Sequence, residues 1–257
     1  MKPLLTVFLS LLACAAIAQK RVVLDQYYNN EVEAKTGKAF HYIWEDQEMT
    51  GFSQLGGLFE AEGAKLATLR EKPSKNNLSG TAVYIIADPD TKDESRNPNF
   101  LDEEAAKAVF KWVKRGGILL LMTNDSQNAD LDHTNILGRK FGMSFEKEIV
   151  HAELSEPGKP RNFNSCASTN LPTHPLFDGV SKIFIKGVAP IALSSPAKVV
   201  LAENGKTLIA QAKCGKGFVL AVGDPWLYNE YIDNKMLPAE FENFKAAKNL
   251  VKLLLNP

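Results

Sequence analysis

The sequence predicts an α/β fold built on a doubly wound, mainly parallel sheet, with a small antiparallel β extension near the C-terminus. Three observations predict it. Short apolar runs at Arg21–Asp25, Thr81–Ala87, Ile118–Met122 and Gly217–Val222 read as strands covered on both faces. Stretches with helical spacing of apolar residues lie between the first of these, so the chain alternates strand and helix. Short β-like segments, closely spaced and separated by turn signals such as Asn204-Gly205, fill Lys182 to Ala212.

The elements follow in order. Residues 1–18 read as a signal peptide: Lys2 is the positive start, Leu4 to Ala16 an apolar core too short to span a bilayer, and Ala16-Ile17-Ala18 a small-x-small cleavage site. A single domain is then expected over 19–257, beginning at Gln19. Leu11-Leu12-Ala13-Cys14 permits a lipoprotein reading, but Leu12 fits that signal poorly, so simple cleavage and a periplasmic or extracellular protein are expected. After the first strand, Phe52, Leu55, Leu58 and Phe59 mark a helix over Phe52–Glu62, stopped by Gly63, and Lys65–Leu69 reads as a short strand. The clearest helix spans Leu101–Arg115. Asp102, Glu103 and Glu104 open it, Lys111, Lys114 and Arg115 close it, and Gly116-Gly117 ends it, an order that complements the helix dipole. A helix is expected over Leu131–Phe141, a strand over Ser144–Val150 and a final helix over Ala239–Leu255. Glu153 to Thr173, rich in Pro, Gly, Asn and Ser, gives no clear element.

Totals exclude some partners. The chain has 257 residues, and its 30 basic side chains balance 30 acidic ones, which leaves no basic surface for nucleic acid. No run beyond the signal segment is long enough for a transmembrane helix. His41, His133, His151 and His174 have no metal-ligand spacing, so no metal is expected, and no cofactor fingerprint is present. Cys166 and Cys214 are read as two unpaired residues.

The last apolar strand runs into Gly223-Asp224-Pro225-Trp226-Leu227-Tyr228-Asn229-Glu230-Tyr231. Asp224 is one of four carboxylates, with Asp25, Asp88 and Asp125, at the C-terminal ends of proposed strands, the edge where open α/β sheets bind ligands. The same loops carry Asn29, Asn30, Glu31, Asp90, Asn124, Asn128, Asn229 and Glu230, and His41 and Trp44 stand in a loop nearby. Three explanations compete: each Asp caps a helix or turn; the group holds a Ca²⁺-like cation, although no loop has that spacing; or carboxylates and amides bind sugar hydroxyls while Trp226 and Tyr228 stack on the ring. Export fits the last. The binding set read from the sequence is therefore Asp25, Asn29, Asn30, Glu31, His41, Trp44, Asp88, Asp90, Asn124, Asp125, Asn128, Asp224, Trp226, Tyr228, Asn229 and Glu230. Asp224, Asp125, His41 and His133 are the candidates for acid–base chemistry.

His41-Tyr42-Ile43-Trp44-Glu45-Asp46, Ser53-x-Leu55-Gly56, Asp88-Pro89-Asp90, Trp112-Val113-Lys114-Arg115-Gly116-Gly117, Asn124-Asp125 and Gly223 to Tyr231 resemble a class I glutamine-amidotransferase-like domain. Such domains are often joined to unsaturated rhamnogalacturonyl hydrolases of glycoside hydrolase families 88 and 105. The resemblance implies a flavodoxin-like fold, an exported setting and a link to pectin-like or other uronate-containing glycans. Nothing here encodes the helical-barrel hydrolase domain. The turn matching the amidotransferase nucleophile, Met122 to Ser126, has no Cys, so glutamine hydrolysis by that mechanism is not expected. The expectation is an accessory glycan-binding protein with an oligosaccharide or polysaccharide ligand and an exported glycosidase as a further partner. The alternatives are a glycan-active hydrolase or esterase, and a structural partner of an exported glycosidase.

Overall fold

A computed structural model describes residues 19–152 and 161–257, excepting the side chains of Glu230 and Tyr231. The signal segment expected at 1–18, with Cys14, lies outside the described residues, as does 153–160.

The chain runs β1 (Arg21–Asp25), α1 (Ser53–Ala61), β2 (Lys65–Leu69), β3 (Thr81–Ala87), α2 (Glu103–Lys114), β4 (Ile118–Met122) and α3 (Leu131–Gly138). Short strands follow, β5 (Met143–Phe145), β6 (Ala167–Ser168), β7 (Ile183–Phe184) and β8 (Ile191–Leu193). The chain closes with β9 (Lys198–Glu203), β10 (Lys206–Cys214), β11 (Gly217–Val222) and α4 (Asn243–Leu255).

The main sheet has seven strands in the order β2-β1-β3-β4-β11-β10-β9. The first five are parallel, and β10 and β9 add an antiparallel edge. The parallel part has the flavodoxin-like order, whose switch point lies between the first and third strands. Val22 pairs with Val83, Tyr84 with Leu119, and Leu119 with Val219, so the expected strands share one direction and one C-terminal edge.

Alternating side chains fill two cores. Val22, Leu24, Ile85, Leu120 and Leu220 pack on Leu55 and Phe59 of α1 and on Leu250, Val251 and Leu254 of α4. Val23, Tyr84, Ile86, Leu119 and Val219 pack on Val109, Trp112 and Val113 of α2 and on Leu131 and Leu137 of α3. Both faces of the parallel strands are thus covered, which is why β4 reads Ile-Leu-Leu-Leu-Met without a polar residue. Helix α2 starts where the Asp102 carboxylate accepts from the Ala105 N–H at 2.9 Å.

Several boundaries differ from the sequence reading. The strand expected over 144–150 is β5, which pairs with β8; Val150 makes only a bridge to Val188. Ile183-Phe184 pairs with Ala167-Ser168 and not with the late hairpins. α4 begins at Asn243 because Pro238 to Phe241 forms its own turn and the Asn243 side chain is committed to the backbone of Phe184. Gly223 is required by close approach: a Cβ there would stand 2.2 Å from the Ala189 carbonyl oxygen.

Candidate functional site

The strand ends remain in register one residue past the sheet. The Asp88 N–H donates to the Met122 carbonyl and the Thr123 N–H to the Val222 carbonyl, both at 3.1 Å. Beside this edge lies a cavity of about 410 Å³, within the roughly 300–1,000 Å³ range of small-ligand sites. Asp88, Asn124, Asp125 and Asn128 line it from the strand ends, His41, Tyr42 and Thr50 from the loop after β1, and Glu94 from the loop after β3. Ile149, Ala152, Lys186, Gly187 and Trp226 complete it.

Each wall has a local cause. His41 and Tyr42 both have positive φ, 59° and 44°, which turns the loop back so that the Tyr42 N–H reaches the Thr50 carbonyl at 2.8 Å. Glu31 stands behind His41, its Oε2 2.5 Å from Nδ1. Asp125 accepts from the Gln127 N–H and from Asn128 Nδ2, each at 2.9 Å, which fixes the turn after β4. The segments 149–152 and 186–187 are held together by paired bonds between Val150 and Val188 and by the Gly187 N–H to the His151 carbonyl at 3.0 Å. The Lys186 ammonium lies over the Trp226 ring.

Asp88 is the least comfortable residue of the set. Its φ is +50°, in the left-handed region that side chains avoid, and it is 5% exposed. Its Oδ1 is buried and meets no hydrogen-bond partner among the described residues. Burial pushes its carboxyl well above the ordinary range, and the charges of Glu94, Glu31 and Asp90 push the same way; the Asn124 side chain eases it. Burial likewise raises Glu94, with Glu31 adding to it and the Thr91 hydrogen bonds and His41 opposing. Asp90 is pushed up to about 7, chiefly by burial. The cavity is therefore lined by a carboxyl whose neutral form, able to donate and accept, is favoured by burial, with further carboxyls and amides beside it and His41 and Lys186 as basic groups.

Of the residues expected from the sequence, His41, Asp88, Asn124, Asp125, Asn128 and Trp226 come together here. The others whose side chains are described do not line this cavity. Asp25 is a turn residue: its Oδ1 accepts from the N–H groups of Tyr27 and Tyr28, and the Tyr84 hydroxyl donates to its other oxygen. Asp224 is fully buried and accepts from the Trp226 and Lys186 N–H groups. Asp90 accepts from the Asn30 N–H, and the Asn30 side chain bridges to Asn97 and Ser95. Asn29 reaches back to the Ala87 carbonyl, and Glu31 orients His41. Trp44 is a core residue; its indole donates to the Ala67 carbonyl at 3.1 Å and packs against Phe52 and Phe59. Tyr228 and Asn229 are buried, and the Glu230 side chain is outside the described residues. His133 stacks on Phe100 and bonds Asp130, lining a separate cleft. So three of the four strand-end carboxylates, Asp25, Asp125 and Asp224, serve backbone turns, as the capping explanation required of them, and of these Asp125 also lines the cavity.

The residues missed were Tyr42, Thr50, Glu94, Ile149, Ala152, Lys186 and Gly187. Glu94 was signalled, since it lies in the polar loop directly after Asp88. Lys186-Gly187 follows a two-residue strand and had no signal. Among the described residues no three His, Cys, Asp or Glu are placed to hold a metal ion, and no helix is long and apolar enough to cross a membrane.

No protein-family model matches the chain, and no curated protein does. Solved structures do. The mmIFT52 N-terminal domain aligns with a TM-score of 0.69 at 14% identity, over 93% of this chain and 98% of that one. The cytoplasmic protein STM1381 from Salmonella typhimurium LT2 aligns with a TM-score of 0.58 at 14% identity, over 92% of this chain and 99% of that one. STM3548 from Salmonella typhimurium aligns with a TM-score of 0.53 at 15% identity, over 91% and 98%. At these identities the likeness is one of fold.

Proposed function

We propose that the chain binds a saccharide in the strand-edge cavity and serves as an accessory glycan-binding protein. The observation that carries this reading is the lining itself: Asp88, Asn124, Asp125 and Asn128 offer paired donors and acceptors for hydroxyls, and Trp226 offers a ring at the wall. The resemblance to domains joined to rhamnogalacturonyl hydrolases favours a ligand from pectin-like or other uronate-containing polysaccharide, an exported setting and an exported glycosidase as partner. Amidotransferase chemistry is not part of the proposal, since neither Cys166 nor Cys214 lines the cavity. Titration calorimetry with oligosaccharides from pectin digests tests it. Saturable binding that Asp125→Ala weakens is expected; no binding by the folded wild-type chain to any pectin digest would overturn the reading.

A further inference from the structure

We infer that the cavity is an acid–base centre that hydrolyses a glycosidic bond, with Asp88 as the acid and His41, held by Glu31, as the base. The substrate class rests on the saccharide reading above; the catalytic assignment rests on how Asp88 and His41 are held.

Asp88 differs from the other Asp residues that end strands or open helices. Asp25, Asp102, Asp125 and Asp224 each accept from backbone N–H groups and so explain themselves as turn or cap residues. Asp88 instead leaves Oδ1 buried and without a partner among the described residues, on the cavity wall. It does so from a left-handed backbone position, at a strain that a glycine would avoid. Strain at a strand end, with one buried side-chain oxygen left unpartnered while the Asn124 side chain engages the carboxyl, is an arrangement expected of a group kept for a reactant.

His41 is fixed from behind in the same way. Its φ is also positive, its N–H donates to Asp46 Oδ2 at 3.2 Å, and Nδ1 is engaged by the buried Glu31. Nε2 is the ring nitrogen left for the cavity. Glu31, Glu94, Asp90, Asp125, Tyr42 and Lys186 are the charged or titratable groups gathered around the two. Burial and the first three carboxylates favour the protonated form of Asp88, while the contact with Glu31 favours a proton on Nδ1 and leaves Nε2 as acceptor.

The step balances with water as the only co-reactant. Water attacks the anomeric carbon and gives one proton to His41 Nε2. The glycosidic C–O bond breaks, its electron pair goes to the leaving oxygen, and that oxygen takes the Asp88 proton. The imidazolium then returns its proton to the Asp88 carboxylate through solvent. Attack by water opposite the leaving group gives inversion at the anomeric carbon.

The test measures binding and cleavage side by side on the wild-type chain. Calorimetry uses pectin-digest oligosaccharides; cleavage is read as reducing ends from the same oligosaccharides and as phenol released from 4-nitrophenyl and 2,4-dinitrophenyl glycosides. Reducing-end release with an inverted anomer is expected. Asp88→Asn should lower kcat on oligosaccharides by about 10²–10⁴-fold. It should change turnover of the 2,4-dinitrophenyl glycoside less than tenfold, because that leaving group needs no acid. His41→Gln should slow both substrates. Equal losses on both substrates for Asp88→Asn would overturn its assignment as the acid. Binding without any release of reducing ends would overturn the hydrolytic inference and leave the saccharide reading standing; neither binding nor release would overturn both. If Asp88→Asn fails to fold, the anomer released by the wild-type chain and the His41→Gln kinetics still decide the matter: retained configuration, or an unchanged rate in His41→Gln, would overturn it.

Discussion

The Lys186 ammonium lies 3.6 Å from the centroid of the Trp226 ring on the wall of the strand-edge cavity. One face of the ring is therefore taken by a cation, a contact worth about 0.5–2 kcal/mol depending on its exposure. A sugar bound as proposed would have to stack on the other face or displace the lysine. Both residues hang from one carboxylate, since Asp224 accepts from the N–H of each, so their relative position is set by the buried turn and not by the cavity.

Trp226→Ala should weaken saccharide binding by about 1–3 kcal/mol, the scale of a lost aromatic contact. Lys186→Met keeps the aliphatic stem and removes the charge. It should weaken binding of oligogalacturonides and leave their carboxyl-reduced counterparts unaffected, read by calorimetry on matched pairs. An equal loss on both members would show that the charge does not read the ligand.

Stability should rise as pH falls from 8 to 5. Burial raises Asp25, Asp90 and Asp224 from 3.8 to about 7 each, and raises Asp88 well above the ordinary carboxyl range. Between the unfolded and folded values the native state binds protons that the unfolded chain has released. The stability from these groups is therefore full below about pH 4 and is lost as pH rises through about 7. The exposed Asp102 and the half-buried Asp233 and Glu242 are shifted down, so their opposing effect falls below pH 5, and His174, lowered by burial, is a single group that opposes as pH falls below about 6.5. Thermal melts at pH 5 and pH 8 should show the higher Tm at pH 5, and Asp25→Asn should narrow the gap. A flat profile would mean that the buried carboxyls are solvated in the native state.

Asp224→Ala should destabilise the fold by about 1–3 kcal/mol, combining a lost cap with two partly buried N–H groups deprived of their acceptor. The sequence reading placed Asp224 in the binding set; its full burial and two backbone bonds give it a turn to hold instead. Asp224→Asn keeps one acceptor and should lose less. Denaturant titration of both variants decides between the two roles.

The sheet was legible because buried parallel strands need uninterrupted apolar runs, and β4 and β11 have them. The shared edge followed from topology, so Asp88, Asn124 and Trp226 could be placed together without any contact being known. What sequence could not show was direction. Asp25 and Asp88 stand at equivalent strand ends, yet one accepts the backbone of Tyr27 and Tyr28 while the other, beside the cavity, leaves a buried oxygen without a partner among the described residues. The difference lies in the φ of one residue, which no composition or spacing encodes. Trp44 misled for a similar reason: its polar neighbours suggested a rim, but Gly56 leaves room for the ring, a Cβ there standing 3.0 Å from Trp44 Cε3, and the indole packs inward. Lys186 and Gly187 arrive from a segment whose strand is two residues long, below any useful periodicity.

Gly187 offers a way to separate the shape of the cavity from the strain of its backbone. Its φ is +63°, and a Cβ would stand 3.4 Å from Asp125 Oδ2 and 3.5 Å from Asn124 Oδ1, the groups that face the ligand space. Gly37 has nearly the same φ, +67°, but a Cβ there would meet nothing within 4 Å. Alanine at either position carries the same backbone penalty, about 1–2 kcal/mol, so the two variants should lose comparable stability. Only Gly187→Ala puts a methyl group against the Asn124–Asp125 pair and takes up space that a ligand hydroxyl would use. Gly187→Ala should therefore reduce saccharide affinity at least tenfold while Gly37→Ala leaves it unchanged, with Tm drops that match within a few degrees. If both variants bind as the wild-type chain does, the Asn124–Asp125 pair does not touch the ligand, and the ligand contacts must be sought on the His41 and Glu94 side of the cavity.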